Sequence, residues 1–165
     1  MRILVAGIGN IFLGDDGFGV EVAKRLRVGS LGDGVEAADF GIRGVHLAYE
    51  LADGGYDAAI LVDAVARGGT PGTLYAIESD VNGADDHDES ADAHTLTPDA
   101  VLGWLRRIGA PPVRVLVVGC EPATLSESMG LSAPVAASVD RAVDMIRDLV
   151  AQIGGALPCA WRFRD

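Results

Sequence analysis

Two aspartates and a histidine are the residues whose types and positions could bind a metal ion. Asp16 follows a glycine-rich segment after the first apolar run, Asp63 ends the second strong apolar run, and His94 follows an acidic stretch. Two carboxylates and an imidazole suit a divalent first-row metal, and three protein ligands leave coordination positions open for a substrate. The donor set admits nickel and zinc equally, so by itself it predicts no more than a metal site.

Each of these residues also has a structural interpretation. Asp16 could cap the first helix, Asp63 could form a turn, and His94 could be a loop residue without a special role. His87 is the substitute ligand if His94 points away. His46 falls in a predicted helix, where a position at the rim of the core or in solvent is favoured over ligation.

Familiar catalytic and nucleotide-binding patterns are poorly matched. The sequence contains no Gly-x-Ser-x-Gly elbow, no HExxH pair and no Cys-His signature, so serine, zinc and papain-like protease templates have no support. Gly7 and Gly9 begin a GxGxxG pattern, but its third position is Phe12, so the pattern does not encode a close approach of helix to strand. Asp15 and Asp16 would also oppose a pyrophosphate at the helix start. A nucleotide site is therefore disfavoured.

The elements that must position these residues alternate between strands and helices. Apolar runs predict strands at 2–6, 35–39, 58–63 and 113–118. Helical spacing and capping signals predict helices at 16–26, 45–51, 97–107 and 132–153. A short run at 73–77, after a Pro-Gly turn, predicts an edge strand that could be antiparallel.

This alternation predicts a three-layer α/β/α fold, with helices on both faces of a twisted, mostly parallel sheet of about five strands. No second core or internal repeat is visible, so residues 1–165 are expected to form a single domain. Ligands of such folds bind beyond the carboxyl ends of the strands, where the strand order reverses. The loops after residues 6, 39, 63 and 118 are therefore the expected site.

Composition narrows the possible partners. The chain has 165 residues with 49% hydrophobic content, enough to bury a core. Its net charge of −11 disfavours nucleic acid and anionic membranes as partners. The sequence has no signal-peptide pattern, no apolar run of membrane-spanning length and no CxxC pair, so we expect a cytoplasmic protein.

Several motifs resemble those of the hydrogenase maturation proteases. Gly7-Ile-Gly-Asn10 and Leu13-Gly-Asp-Asp-Gly-Phe-Gly19 are similar to the N-terminal signature of that family. The likeness continues in order at Gly41-Ile-Arg-Gly44, Leu61-Val-Asp-Ala64, Pro71-Gly72, Ala93-His94, Val118-Gly-Cys-Glu-Pro122 and Gly130-Leu-Ser132. It extends from residue 1 to about residue 150, and it implies a one-domain α/β fold.

The resemblance implies an endopeptidase that removes the C-terminal extension of a [NiFe] hydrogenase large subunit precursor. Asp16, Asp63 and His94 match the acid, acid and histidine that contact nickel in the family. The nickel is implied to arrive on the precursor, held by its own cysteine thiolates, so hydrolysis would be of aspartic or metal-assisted type. Two alternatives remain: a noncatalytic chaperone that binds the nickel-bearing subunit, and a metallohydrolase that carries its own metal.

Overall fold

A computed structural model of the protein describes residues 1–79, 97–111 and 113–155. Within these residues five strands form one sheet: β1 (Ile3–Ile8), β2 (Val35–Gly41), β3 (Ala58–Ala64), β4 (Leu74–Ser79) and β5 (Arg114–Cys120). Their order across the sheet is β2-β1-β3-β5-β4. β1 pairs in parallel with β2 and β3, β3 pairs in parallel with β5, and β4 is antiparallel to β5. The predicted sheet with its antiparallel edge strand is confirmed.

Helices cover both faces of the sheet. They are α1 (Phe18–Arg27), α2 (Gly44–Asp53), α3 (Pro98–Arg107), α4 (Ala133–Ala136) and α5 (Val139–Ile153). α1, α4 and α5 share one apolar core with the sheet, and α2 and α3 share the other. Alternate residues of β1 enter opposite cores, as Val5 and Leu4 do, which explains why the central strands are continuously apolar. None of the described helices is long and apolar enough to cross a membrane.

Two predicted helix boundaries were wrong. The first helix begins at Phe18 and not at Asp16, because Gly14–Gly17 forms a 3-10 turn in which Gly14 has a φ of 59°. The predicted helix at 132–153 is divided into α4 and α5. Between them, the hydroxyl of Ser138 donates to the carbonyl of Val135 over 2.7 Å, a local bond that competes with helical pairing.

The close approach of helix to strand depends on two glycines, Gly7 and Gly19. A Cβ on Gly19 would collide with the carbonyl oxygens of Ile8 and Val62, and a Cβ on Gly7 would collide with the carbonyl oxygen of Gly19. Backbone therefore packs directly on backbone where α1 crosses β1 and β3. The sequence prediction that this close approach is not encoded was wrong, because Gly19 supplies what Phe12 does not.

Replacing Gly19 with alanine is expected to lower the free energy of unfolding by about 1–3 kcal/mol, since neither colliding carbonyl can move without shifting a strand. The matched control is Gly103→Ala in α3, where the added Cβ would have no neighbour within 4 Å among the described residues outside the adjacent helix backbone. That variant should gain about 0.5–1 kcal/mol from helix propensity. Urea denaturation measures both, and equal stability of the two variants would contradict this account of the packing.

Candidate active site

The candidate site lies where the strand order reverses. In the sheet, β1 has β2 on one side, and it has β3 and then β5 on the other. The carboxyl ends of β1 and β3 therefore flank the crevice where open α/β sheets usually bind ligands. Asp63 is the next-to-last residue of β3, and Asp16 is in the loop that follows β1. The structure brings these two predicted residues together at this crevice.

Asp63 is a strand residue with a buried carboxylate. It pairs with Gly119 of β5, and 3% of its surface is exposed, so it is not a turn former. Its Oδ1 accepts a hydrogen bond of 2.8 Å from the N–H of Ala64. Burial, and next the negative charge of Asp16, raise the pKa of Asp63 well above its ordinary value, whereas the bond from Ala64 opposes that shift. The two carboxylates therefore interact as like charges in a site of restricted solvent access.

Asp16 is half-buried and does not cap the helix. Its Oδ2 accepts a hydrogen bond of 2.6 Å from the N–H of Asn10, which joins the 3-10 turn to the end of β1. The N-cap position of α1 is Gly17, and no side chain bonds to the helix start there. The side chain of Asn10 in turn accepts a bond from the N–H of Phe12. Asp16 thus points back towards the strand that precedes it.

Gly9 lies against the backbone of Asp16 and near the side chain of Asp63. Its φ is 127°, which side-chain-bearing residues rarely adopt. A Cβ at this position would collide with the carbonyl oxygen of Asp16 and would lie 3.5 Å from Oδ1 of Asp63. The sequence places this glycine in a motif but does not predict its contact with both aspartates.

Asp15, next to Asp16, has no exposed surface. It accepts hydrogen bonds from the N–H groups of Ala123 and Thr124, and from both the N–H and the hydroxyl of Ser132. Burial would raise its pKa, but these hydrogen bonds prevail and lower it. Its oxygens are occupied within the protein, so Asp16 is the one of the pair that faces the site. Nothing in the sequence singled out this role for Asp15.

Glu121 anchors a second loop at the same edge of the sheet. It is 5% exposed and accepts hydrogen bonds from the N–H groups of Arg67 and Gly68 and from the hydroxyl of Tyr75. These contacts fix the segment that follows β3 against β4 and β5. No pattern in the sequence predicted this role either.

The structure describes one of the three histidines, His46. His94 and His87 lie outside the described residues, so their predicted ligand roles stay predictions. His46 is exposed on α2, which agrees with the solvent-facing position favoured for it. Within residues 1–79, 97–111 and 113–155, no group of three or more His, Cys, Asp or Glu side chains is placed to hold a metal ion. The described part of the chain supplies two carboxylates.

The structure is a doubly wound α/β fold with two carboxylates at the switch point of its sheet. Comparisons with known proteins identify the family. The family profile described as hydrogenase maturation protease matches residues 20–149. The chain belongs to this family, which confirms the predicted resemblance. It therefore has a peptidase role in hydrogenase maturation.

Individual relatives agree with that assignment. The hydrogenase 2 maturation protease of Escherichia coli is 33% identical over 148 residues, which cover 88% of each chain. A crystal structure of a hydrogenase 2 maturation peptidase from Thaumarchaeota archaeon SCGC_AB-539-E09 is 36% identical, with a TM-score of 0.69 over 95% of this chain and 100% of that one. The hydrogenase maturating endopeptidase HybD of E. coli is 30% identical, with a TM-score of 0.73 over 93% and 94% of the two chains.

Replacing Asp63 with asparagine is expected to stabilise the fold at neutral pH, by about 0.5–2 kcal/mol. The pKa of Asp63 is raised in the folded state, so ionisation costs folding free energy as the pH rises above the ordinary value of 3.8. Below that pH both states carry the proton, so the gain should vanish. Urea denaturation across pH measures it, with exposed Asp33→Asn as the control that should change little. A variant less stable than the parent at neutral pH would contradict the assignment.

Proposed function

We propose that this protease removes the C-terminal extension of a [NiFe] hydrogenase large subunit precursor that already carries nickel. The observation that supports it most directly is the pairing of the Asp16 and Asp63 carboxylates at the switch point of the sheet. In the proposal, Asp16, Asp63 and His94 complete the coordination of a nickel that the precursor holds through its own cysteine thiolates. The metal is thus part of the substrate.

The donor chemistry at the crevice fits a cation. The described residues donate one hydrogen bond to each carboxylate, to Oδ2 of Asp16 and to Oδ1 of Asp63. That leaves Oδ1 of Asp16 and Oδ2 of Asp63 for a ligand. Because the two carboxylates repel each other and one of them is buried, a divalent cation between them would offset an unfavourable interaction. An anionic ligand would add to that unfavourable interaction.

A shared nickel would make cleavage conditional on metal insertion. Two carboxylates and an imidazole bind a first-row metal incompletely, so the thiolates of a loaded precursor would fill the remaining positions. When bound, nickel supplies a positive charge that can polarise the scissile carbonyl or activate water. The residues of this chain hold the precursor so that the bond to be cut lies beside the site. A precursor without nickel would lack this attachment. We place the reaction in the cytoplasm, where such thiolates stay reduced.

The rim of the site suits a macromolecular substrate. Phe12 is 60% exposed and Met129 is 74% exposed. They lie on two loops that are joined by a hydrogen bond from the N–H of Ser128 to the carbonyl of Phe12. Large apolar side chains grouped at a site rim are typical of surfaces that contact another protein.

Cleavage should require nickel in the precursor. The experiment mixes the protein with its large subunit precursor, with and without nickel inserted, and follows loss of the C-terminal extension by mass spectrometry. We expect processing of the loaded precursor alone, because only that form presents the metal to Asp16, Asp63 and His94. Binding of the loaded precursor without cleavage would support the chaperone alternative, and equal cleavage of both forms would contradict the proposed gating.

The Asp63→Asn variant should fold yet lose processing by at least about 100-fold, equivalent to about 2.7 kcal/mol of transition-state stabilisation. Asparagine keeps the size and the bond from Ala64 but removes the negative charge offered to the cation. Asp33→Asn removes one exposed charge away from the site and should process at the parent rate. Full processing by Asp63→Asn would remove Asp63 from the proposed mechanism.

The purified protein should hold metal below one equivalent after dialysis, since the proposed nickel arrives with the substrate. Elemental analysis by mass spectrometry measures this content. Stoichiometric, tightly held zinc or nickel would instead favour a metallohydrolase that carries its own metal.

A further inference from the structure

We infer that Asp15 is a positioning residue, which holds the segment 123–132 against the 3-10 turn and thereby fixes the backbone from which Asp16 reaches the site. This inference rests on the proposed function, because the reaction it serves is the one carried out at Asp16 and Asp63. It concerns a residue that has no access to substrate, since Asp15 is fully buried.

The carboxylate of Asp15 makes hydrogen bonds with three residues of one distant segment. Its Oδ2 accepts from the N–H of Ala123 at 2.8 Å, the N–H of Thr124 at 3.0 Å and the hydroxyl of Ser132 at 2.9 Å. Its Oδ1 accepts from the N–H of Ser132 at 2.7 Å. One buried charge therefore ties together both ends of the segment that follows β5.

Backbone hydrogen bonds join the same two loops. The N–H of Asp15 donates to the carbonyl of Thr124 over 3.1 Å, and the N–H of Gly14 donates to the carbonyl of Ser128 over 2.9 Å. Ser128 in turn donates to the carbonyl of Phe12 over 3.0 Å. The loop after β1 and the loop after β5 thus form one hydrogen-bonded unit, with the Asp15 carboxylate at its centre.

The position of Asp16 depends on this unit. Asp16 directly follows Asp15 in a 3-10 turn of four residues, and within the turn its own N–H bonds to the carbonyl of Leu13. Its side chain is held from the other direction by the N–H of Asn10. If the Asp15 side chain lost its partners, only the backbone bonds of Gly14 and Asp15 would still join the turn to this segment, and the Asp16 carboxylate would be held less firmly relative to Asp63.

Asparagine at position 15 would keep the shape but not the bonds. Both oxygens of Asp15 face N–H donors, so the amide nitrogen of asparagine must oppose either Ser132 or the pair Ala123 and Thr124. Two donors facing each other in a buried site cannot bond. Asp15→Asn therefore releases one end of the anchored segment.

The test compares Asp15→Asn with Glu121→Gln. Glu121 is also a buried carboxylate that accepts two backbone N–H bonds and a hydroxyl bond, but it anchors residues 67–68 and Tyr75, not the turn of Asp16. Both variants should melt at lower temperature. Measured on nickel-loaded precursor and normalised to folded protein, kcat should fall about 10–100-fold for Asp15→Asn, as for residues that orient metal ligands. For Glu121→Gln it should stay within about threefold of the parent. KM should change less than kcat in Asp15→Asn.

Hydrogen exchange gives a readout independent of activity. The amide of Ser132, or the amides of Ala123 and Thr124, should exchange faster in Asp15→Asn, according to which donors the asparagine nitrogen opposes, and all three should exchange at the parent rate in Glu121→Gln. If Asp15→Asn does not fold, Ser132→Ala removes a single hydroxyl donor to Asp15 and should lower kcat by several-fold. Where Asp15→Asn does fold, the effects of the two substitutions should be less than additive in the double variant, because both act on the contact between Asp15 and Ser132.

Three results would overturn the inference. The first is a kcat equal to that of the parent in folded Asp15→Asn, and the second is an equal fall of kcat in Asp15→Asn and Glu121→Gln. The third applies if Asp15→Asn does not fold, and it is a kcat equal to that of the parent in Ser132→Ala. Each leaves the proposed function standing, because the parent protein still processes its precursor. Failure of the parent to process nickel-loaded precursor would instead reject the proposed function, and the inference with it.

Discussion

Two carboxyl groups held close together at the carboxyl edge of the sheet are the constraint on which the site depends. The carboxylate of Asp63 is almost fully buried, and the neighbouring charge of Asp16 makes its ionisation still less favourable. Such a pair weakens the fold and persists only where the surrounding structure holds it. Sites of this kind mark function more reliably than an isolated exposed acid, because relief of the repulsion by a cation is part of what the site can do.

The rest of the molecule supplies the rigidity that this pair requires. Backbone contact at Gly7 and Gly19 places the start of α1 directly on β1 and β3, so the loop that carries Asp16 begins and ends on fixed supports. Of two further buried carboxylates, Asp15 bonds to the segment that supports the turn of Asp16, whereas Glu121 bonds to residues 67–68 and Tyr75. The acidic residues thus divide into those that anchor loops and those that face the crevice.

Much of the fold was predictable because local sequence patterns indicate its strands and helices. The continuous apolar runs of the central strands follow from burial on both faces, and Thr97 caps α3 through a hydrogen bond to the N–H of Ala100, as expected. The errors arose where tertiary contacts compete with helix formation. At Gly14–Gly17 the turn bonds to the loop after β5, and at Ser138 a side chain bonds to the backbone one turn earlier. Neither contact is indicated by a periodic pattern in the sequence.

The sequence by itself determined the alternation of strands and helices, the family motifs, and the pairing of an acid after β1 with an acid at the end of β3. The family motif singles out Asp16 over its neighbour Asp15, but only the tertiary structure gives the physical reason, because it shows which of the two carboxylates is already bonded within the protein. The two side chains are chemically identical, so they differ only in the donors that surround them. For Asp15 those donors come from residues 108 to 117 positions later in the chain, and no local pattern records them.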